Sequence, residues 1–279
     1  MRKIDSCGFR YIFVDEAQDF DGDWLDVINR LRYQPVLAES SIWVFSDAYQ
    51  AIRYQAQNRV ITEKLEKFPV KRCLTNVVRN THEVFKTYDY YFEDERFSNA
   101  QLRPSVSHEV YGAAPKYESV LNNKEAYYAI KNEIELLRKE KIPMIDVAII
   151  AQNQNVRDKI AKFFKHVEIN WVDAIVGAKI KLGYGHTVYD QVPDNPVILE
   201  SLQRFKRLES KVLIFCILND WEPRDVDLYV GFSRAFCRLV VIGIPKFFQE
   251  LRSKKECKSA PVHEMNKLSL SSSGLNRYK

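Results

Sequence analysis

Six short runs built largely from Val, Ile, Leu and Phe set the tightest limit on what this chain can become. They are Tyr11–Val14, Ile42–Phe45, Val70–Leu74, Val147–Ala151, Val212–Ile217 and Leu239–Ile242. A strand with one wet face alternates apolar and polar residues. Most of these runs do not, so they belong to strands covered on both sides. The segments between them have a helical period. In "DGDWLDVINRL" the spacing puts Trp24, Val27, Ile28 and Leu31 on one stripe, with Asp23 as N-cap. In "NKEAYYAIKNEIELLRKEK" the stripe is Tyr127, Ile130, Ile134 and Leu137. Strands alternating with helices predict an α/β fold with mainly parallel sheets.

At 279 residues there is room for one large domain or two smaller ones. The runs divide as a lobe over residues 1–75, with three of the six strands, and a lobe over 76–252. Three strands are too few for a complete doubly wound domain, so the first lobe reads as incomplete. Residues 253–279 have little periodicity and read as a disordered, basic, Ser-rich tail. Charge supports that division. Of 42 Lys/Arg and 37 Asp/Glu, seven and two lie in residues 252–279, which leaves 35 of each elsewhere. The net charge of +5 therefore resides in residues 252–279, the tail with Arg252 just ahead of it, where it could neutralise phosphates. No apolar run is long enough to span a membrane, and the start lacks the marks of a signal peptide. The five cysteines form no Cys-x-x-Cys and no zinc spacing, so free thiols in a reducing compartment, nucleus or cytoplasm, are expected.

Several strand ends carry chemistry. In "YIFVDEAQDF" the run ends in Asp15–Glu16, and ligands of open α/β sheets gather at the carboxyl ends of strands. An Asp there can hold Mg²⁺, and a neighbouring Glu can polarise water attacking a γ-phosphate. The same letters also suit acids that merely close a strand. "IWVFSDAYQAI" repeats the pattern with Asp47 and, three residues on, Gln50, which suits phosphate sensing or a polar loop equally. In "LTNVVRNTHEV" Arg79 stands just before a helix starting near Thr81. Its always-charged fork suits phosphate, or a salt bridge. "SLQRFKRLES" and "YVGFSRAFCRLVVIG" follow, the latter with Arg234 ahead of a strand. Tyr229 and Phe232 read as core.

These five stretches, covering residues 11–243, resemble motifs II to VI of superfamily 1 (UvrD/Rep-like) helicases, in that order. "IDVAIIAQNQNVRDKIAKFF" is similar to the strand–helix pair that opens the second motor domain of that group. "VDEAQDF" followed by "GDW", "IWVFSDAYQ", "LTNVVRNT" and "VILESLQRFKRLE" look closest to the C-terminal helicase-like region of Schlafen proteins. The resemblance implies a RecA-like P-loop NTPase fold in two lobes, ATP and Mg²⁺ as cofactors, and single-stranded DNA or RNA as partner. It implies that Asp15 holds Mg²⁺, Glu16 activates water, and Gln50 senses the γ-phosphate. Arg79 and Arg234 would reach that phosphate from the second lobe. Asp47 and Glu209 would contact the nucleotide, and Ser201 and Gln203 the nucleic-acid backbone.

Three departures qualify the expected activity. No G-x-x-x-x-G-K-[ST] occurs among the nine dispersed glycines; "GAKIKLGYGHT" comes nearest and lacks the Lys-Ser/Thr. Without that loop there is no backbone cradle for phosphates. Arg207 stands where motif V has Gly, and Ser46 where motif III commonly has Gly. The expectation is part of a longer motor, with the loop supplied upstream and no ATPase competence alone. The alternative is a degenerate helicase fold that binds nucleic acid or protein without catalysis.

Overall fold

The structure is a computed structural model. It describes residues 9, 11–20, 22–32, 41–46, 76–89, 91, 105–106, 110–176, 193–218 and 221–257. The chain divides into two units, Met1–Thr75 with Asp94–Arg103, and Asn76–Glu93 with Pro104–Lys279. The expected strand Val70–Leu74 lies outside the described residues.

In the first unit β1 (Tyr11–Val14) pairs in parallel with β2 (Ser41–Val44), Val14 opposite Val44. Helix α1 (Gly22–Arg32) forms where the period placed it, but its buried face differs. Leu25 is buried, whereas Trp24 and Val27 are 61% and 44% exposed. Asp23 lies inside the first turn, where an acid complements the helix dipole, and is not the N-cap. Leu25 and Trp24 flank Ile28 on the helical wheel, so periodicity alone cannot choose between them. A ring stack of Trp24 on Phe20, at 6.4 Å, holds the indole at the surface.

The second unit opens with β3 (Asn76–Val77), helix α2 (His82–Asp89) and β4 (Ser105–Val106), which pairs in parallel with β3. Then follow β5 (Lys116–Ser119), α3 (Asn123–Lys139), β6 (Val147–Ala151), α4 (Gln154–His166) and β7 (Trp171–Val172). The chain continues through β8 (Val197–Ser201), the single turn α5 (Leu202–Phe205), β9 (Ser210–Ile217), α6 (Asp225–Ser233), β10 (Ala235–Gly243) and α7 (Pro245–Cys257). Six strands make one sheet in the order β5–β10–β9–β6–β8–β7, every pair parallel. This is the α/β, mainly parallel architecture expected from the sequence.

Both faces are covered, which explains the unbroken apolar runs. Val147, Ile149, Leu199, Ile214 and Ile242 join Ile130, Ile134 and Leu137 of α3 and Ile160 and Phe164 of α4 in one core. On the other face Phe215 meets Phe232 of α6 edge to face at 5.6 Å. Side-chain caps set the starts of two helices: Asn122 accepts from the Glu125 N–H and Asn153 from the Val156 N–H, each at 3.0 Å. Three strands of this six-stranded sheet escape the apolar-run criterion. β5 and β7 are edge strands, short or half polar, and β8 carries the buried Glu200 in an otherwise apolar run. Helix α7 continues to Cys257, into the segment read as tail; residues 258–279 lie outside the described residues.

Candidate functional site

In the first unit the chain leaves β1 through Asp15 and Glu16. The Phe45 N–H donates to the Val14 carbonyl at 2.8 Å, and the Ala17 N–H to the Phe45 carbonyl at 2.9 Å. The acids and Ser46 therefore emerge at one sheet edge, the carboxyl end of both strands. Asp15 is exposed, and its Oδ1 accepts the Glu16 N–H at 2.9 Å. Glu16 is left-handed, with φ 53° and ψ 42°. That backbone costs a residue with a Cβ about 1–2 kcal/mol. Asp47 and Gln50 lie outside the described residues.

In the second unit the backbone brings three segments far apart in sequence, those of Arg79, Glu209 and Arg234, to the amino-terminal ends of β9 and β10. Arg79, just ahead of α2, pairs with Glu209, just ahead of β9. The Ser210 N–H donates to the Arg234 carbonyl at 3.0 Å. Arg234 closes α6, and its mostly buried guanidinium donates to the Val230 carbonyl at 3.2 Å and to Ser233 Oγ at 3.1 Å. The Arg79 side chain is 65% exposed, so its fork also faces solvent. Close by, the hydrogen bond from Lys211 to Asp146 pushes the Lys211 ammonium above its usual range.

The residue between the arginines' two segments is Asn80, which sequence reading passed over. Its buried amide donates to the carbonyls of Ser233 at 3.0 Å and Ala235 at 2.6 Å, and it accepts from Tyr88 Oη at 2.9 Å. The Thr81 N–H adds a bond to the Phe236 carbonyl at 2.9 Å. Asn80 thus clamps the Arg79 segment to the Arg234 segment. The only signal in the sequence was its place beside Arg79.

Ser201 and Gln203 are elsewhere. Ser201 ends β8 and is level with Ala151, which is level with Cys216 near the end of β9. Glu209 precedes the start of β9, so about 20 Å of strand separates it from the level of Ser201. Ser201 is buried, and Gln203 is exposed on α5. Beside Ser201 the fully buried Glu200 accepts the Ser201 N–H at 2.9 Å and lies 3.7 Å from Arg204 Nε. An acid inside an apolar run was the available signal for it.

Arg207 also has a left-handed backbone, φ 80°. Gly adopts that conformation freely, and motif V has Gly at this position by resemblance. Arg207→Gly is expected to raise stability by about 0.5–1 kcal/mol, relief of strain outweighing the added chain entropy. A thermal melt checks this, with a rise of about 2 °C expected; a lower midpoint would show that contacts of Arg207 outweigh its strain.

Fit to a nucleotide is partial. Taken separately, the exposed Asp15 carboxylate is a type of group suited to Mg²⁺ and the Arg79 fork to phosphate, but the sequence contains no G-x-x-x-x-G-K-[ST]. Among the described residues no group of three His, Cys, Asp or Glu could hold a metal ion. Cys216 and Cys237 are free thiols, the former buried. No helix among the described residues is long and apolar enough to cross a membrane.

The second unit is therefore a parallel α/β domain with the Arg79–Glu209 ion pair at one end of its sheet. Among solved structures, the chain is similar to the C-terminal domain of a possible DNA helicase from Lactobacillus plantarum WCFS1. Identity is 14% and the TM-score 0.42, over 60% of this chain and 88% of that one. No protein-family model matches the chain, and no curated protein is significantly similar to it.

Proposed function

We propose that this chain is part of a superfamily 1, Schlafen-like, ATP-dependent motor that acts on single-stranded DNA or RNA in the nucleus or cytoplasm. The observation that carries the reading is the Arg79–Glu209 ion pair beside the backbone bond from the Ser210 N–H to the Arg234 carbonyl. Their motifs are separated by 130 and 25 residues of sequence, yet they share one sheet edge in the motif order of such motors. In this reading both lobes are RecA-like. Arg79 and Arg234 stabilise charge on a γ-phosphate, Glu209 orients Arg79 and contacts the nucleotide, and Ser201 and Gln203 touch the strand. Asp15 holds Mg²⁺ and Glu16 activates water, with Asp47 and Gln50 beside them. The left-handed Glu16 supports a constrained role, because strained backbone concentrates at functional sites.

The chain alone is expected to show no ATP turnover. Fused behind a phosphate-loop segment of a superfamily 1 motor it should hydrolyse ATP, and Glu16→Gln should lower kcat about 100-fold or more. Turnover by the unfused chain would sink this account of the missing loop. A second reading, a degenerate motor fold that only binds nucleic acid or protein, is favoured by Arg207 at the motif V glycine. It expects no hydrolysis in the fused chain, with Glu16→Gln silent.

A further inference from the structure

The second unit carries a basic surface remote from the arginine cluster. On α4 the exposed Lys159, Lys162 and Lys165 share one arc of the helix, spread over about 9 Å of its axis. Alongside, Tyr128 of α3 is 46% exposed and packs edge to face on Phe163 of α4, at 5.5 Å. Lys124 lies one helical turn before Tyr128 on the same exposed face.

The acids on these helices are already engaged. Asp158 accepts from Gln154 and Arg157, Glu125 accepts from the Leu121 N–H and from Asn122 at the start of α3, and Glu135 lies 3.4 Å from Lys131. By contrast Lys159, Lys162 and Lys165 have no carboxylate partner among the described residues, whereas Lys116, Lys211 and Lys246 of the same unit are all paired. Unpaired cations in a row on a helix that packs against an exposed aromatic ring match the chemistry of a phosphodiester chain with stackable bases. An acidic protein would use the charges but leave the ring's face without a base to stack on.

From this charge and ring pattern we infer that the outer face of α3 and α4 is a second contact for single-stranded nucleic acid. Lys159, Lys162, Lys165 and Lys124 take phosphates, and Tyr128 takes a base. The inference rests on the proposed action on single strands and adds to it a surface distinct from Ser201 and Gln203.

The test uses the full chain and a labelled oligo-deoxythymidine strand, with anisotropy followed across a salt series. Replacing Lys159, Lys162 and Lys165 together by Gln is expected to weaken binding about tenfold and to lower the log–log salt slope by about 2, the share of three phosphates. Tyr128→Ala is expected to weaken binding about tenfold with the slope unchanged. All four side chains are exposed, and equal melting midpoints would confirm intact folds. If both variants bind as the parent does while Ser201→Ala/Gln203→Ala binds poorly, the inference falls and the proposed function stands. A parent that binds no strand overturns both. Loss of poly-glutamate binding with the oligonucleotide retained would assign the surface to an acidic protein and also overturn the inference.

Discussion

Asn80→Ala is expected to destabilise the second unit by about 3 kcal/mol and to loosen the arginine cluster. The substitution removes a buried amide that satisfies two carbonyls, of Ser233 and Ala235, and the hydroxyl of Tyr88. Each buried polar group left without a partner costs roughly 1–3 kcal/mol, and the three share one cavity that water can partly fill. A thermal melt should show a fall of about 9 °C. Asn80→Asp provides the control that separates shape from hydrogen bonding. It keeps the volume and the acceptor for Tyr88 but turns an oxygen toward two carbonyl oxygens, so it should be nearly as damaging. An Asp variant as stable as the parent would show that packing, and not the amide donors, holds the two segments together. Amide exchange at Ser210, whose N–H bonds to the Arg234 carbonyl, should speed up in both variants.

Gly112→Ala should be of similar size for a different reason. A Cβ at residue 112 would stand 2.7 Å from the Cys237 carbonyl oxygen and 2.7 Å from Thr81 Oγ1. One of those contacts is backbone, at the register irregularity of β10 between the paired residues Ala235 and Arg238, so backbone on one side or the other must move. Overpacking of this kind costs about 1–3 kcal/mol. Movement of the loop also stretches the 2.6 Å bond from the Gly112 N–H to Glu83 and disturbs the His82–Tyr111 ring stack at 5.4 Å. The total expected is about 3 kcal/mol, read as a fall in melting temperature of about 9 °C. A melting temperature within about 2 °C of the parent would mean that Thr81 and the loop yield freely. In that case α2 is not held to β10 by close approach at this point.

The sheet was legible where it is buried on both faces. Val147–Ala151 and Val212–Ile217 read as strands because no wet face interrupts them, and both occupy the sheet interior. Edge strands left no such trace. β5 is "KYES", and its Lys116 neutralises the buried Glu133 of α3 at 2.7 Å. Burial works against the Lys116 charge, but bonds to Glu133 and Glu118 outweigh it and raise the ammonium above its usual range. The face of α1 was misjudged because adjacent apolar residues, Trp24 and Leu25, compete for one core, and only neighbours from elsewhere in the chain decide between them.

The candidate site divides in the same way. The sequence by itself determined the α/β alternation, and it marked Asp15, Glu16, Arg79, Glu209 and Arg234 as charged residues beside apolar runs. These follow from local period and side-chain chemistry, which act over a few residues. Only the tertiary structure decided that Arg79 meets Glu209, that Asn80 joins residues 233 and 235, and that Ser201 lies at the opposite end of the sheet. It also decided that Tyr128 of α3 packs on Phe163 of α4, the helix that carries Lys159, Lys162 and Lys165. Those are contacts across many residues of chain. They depend on strand order and register, which loop closure and shared burial set together and which no short stretch of sequence encodes.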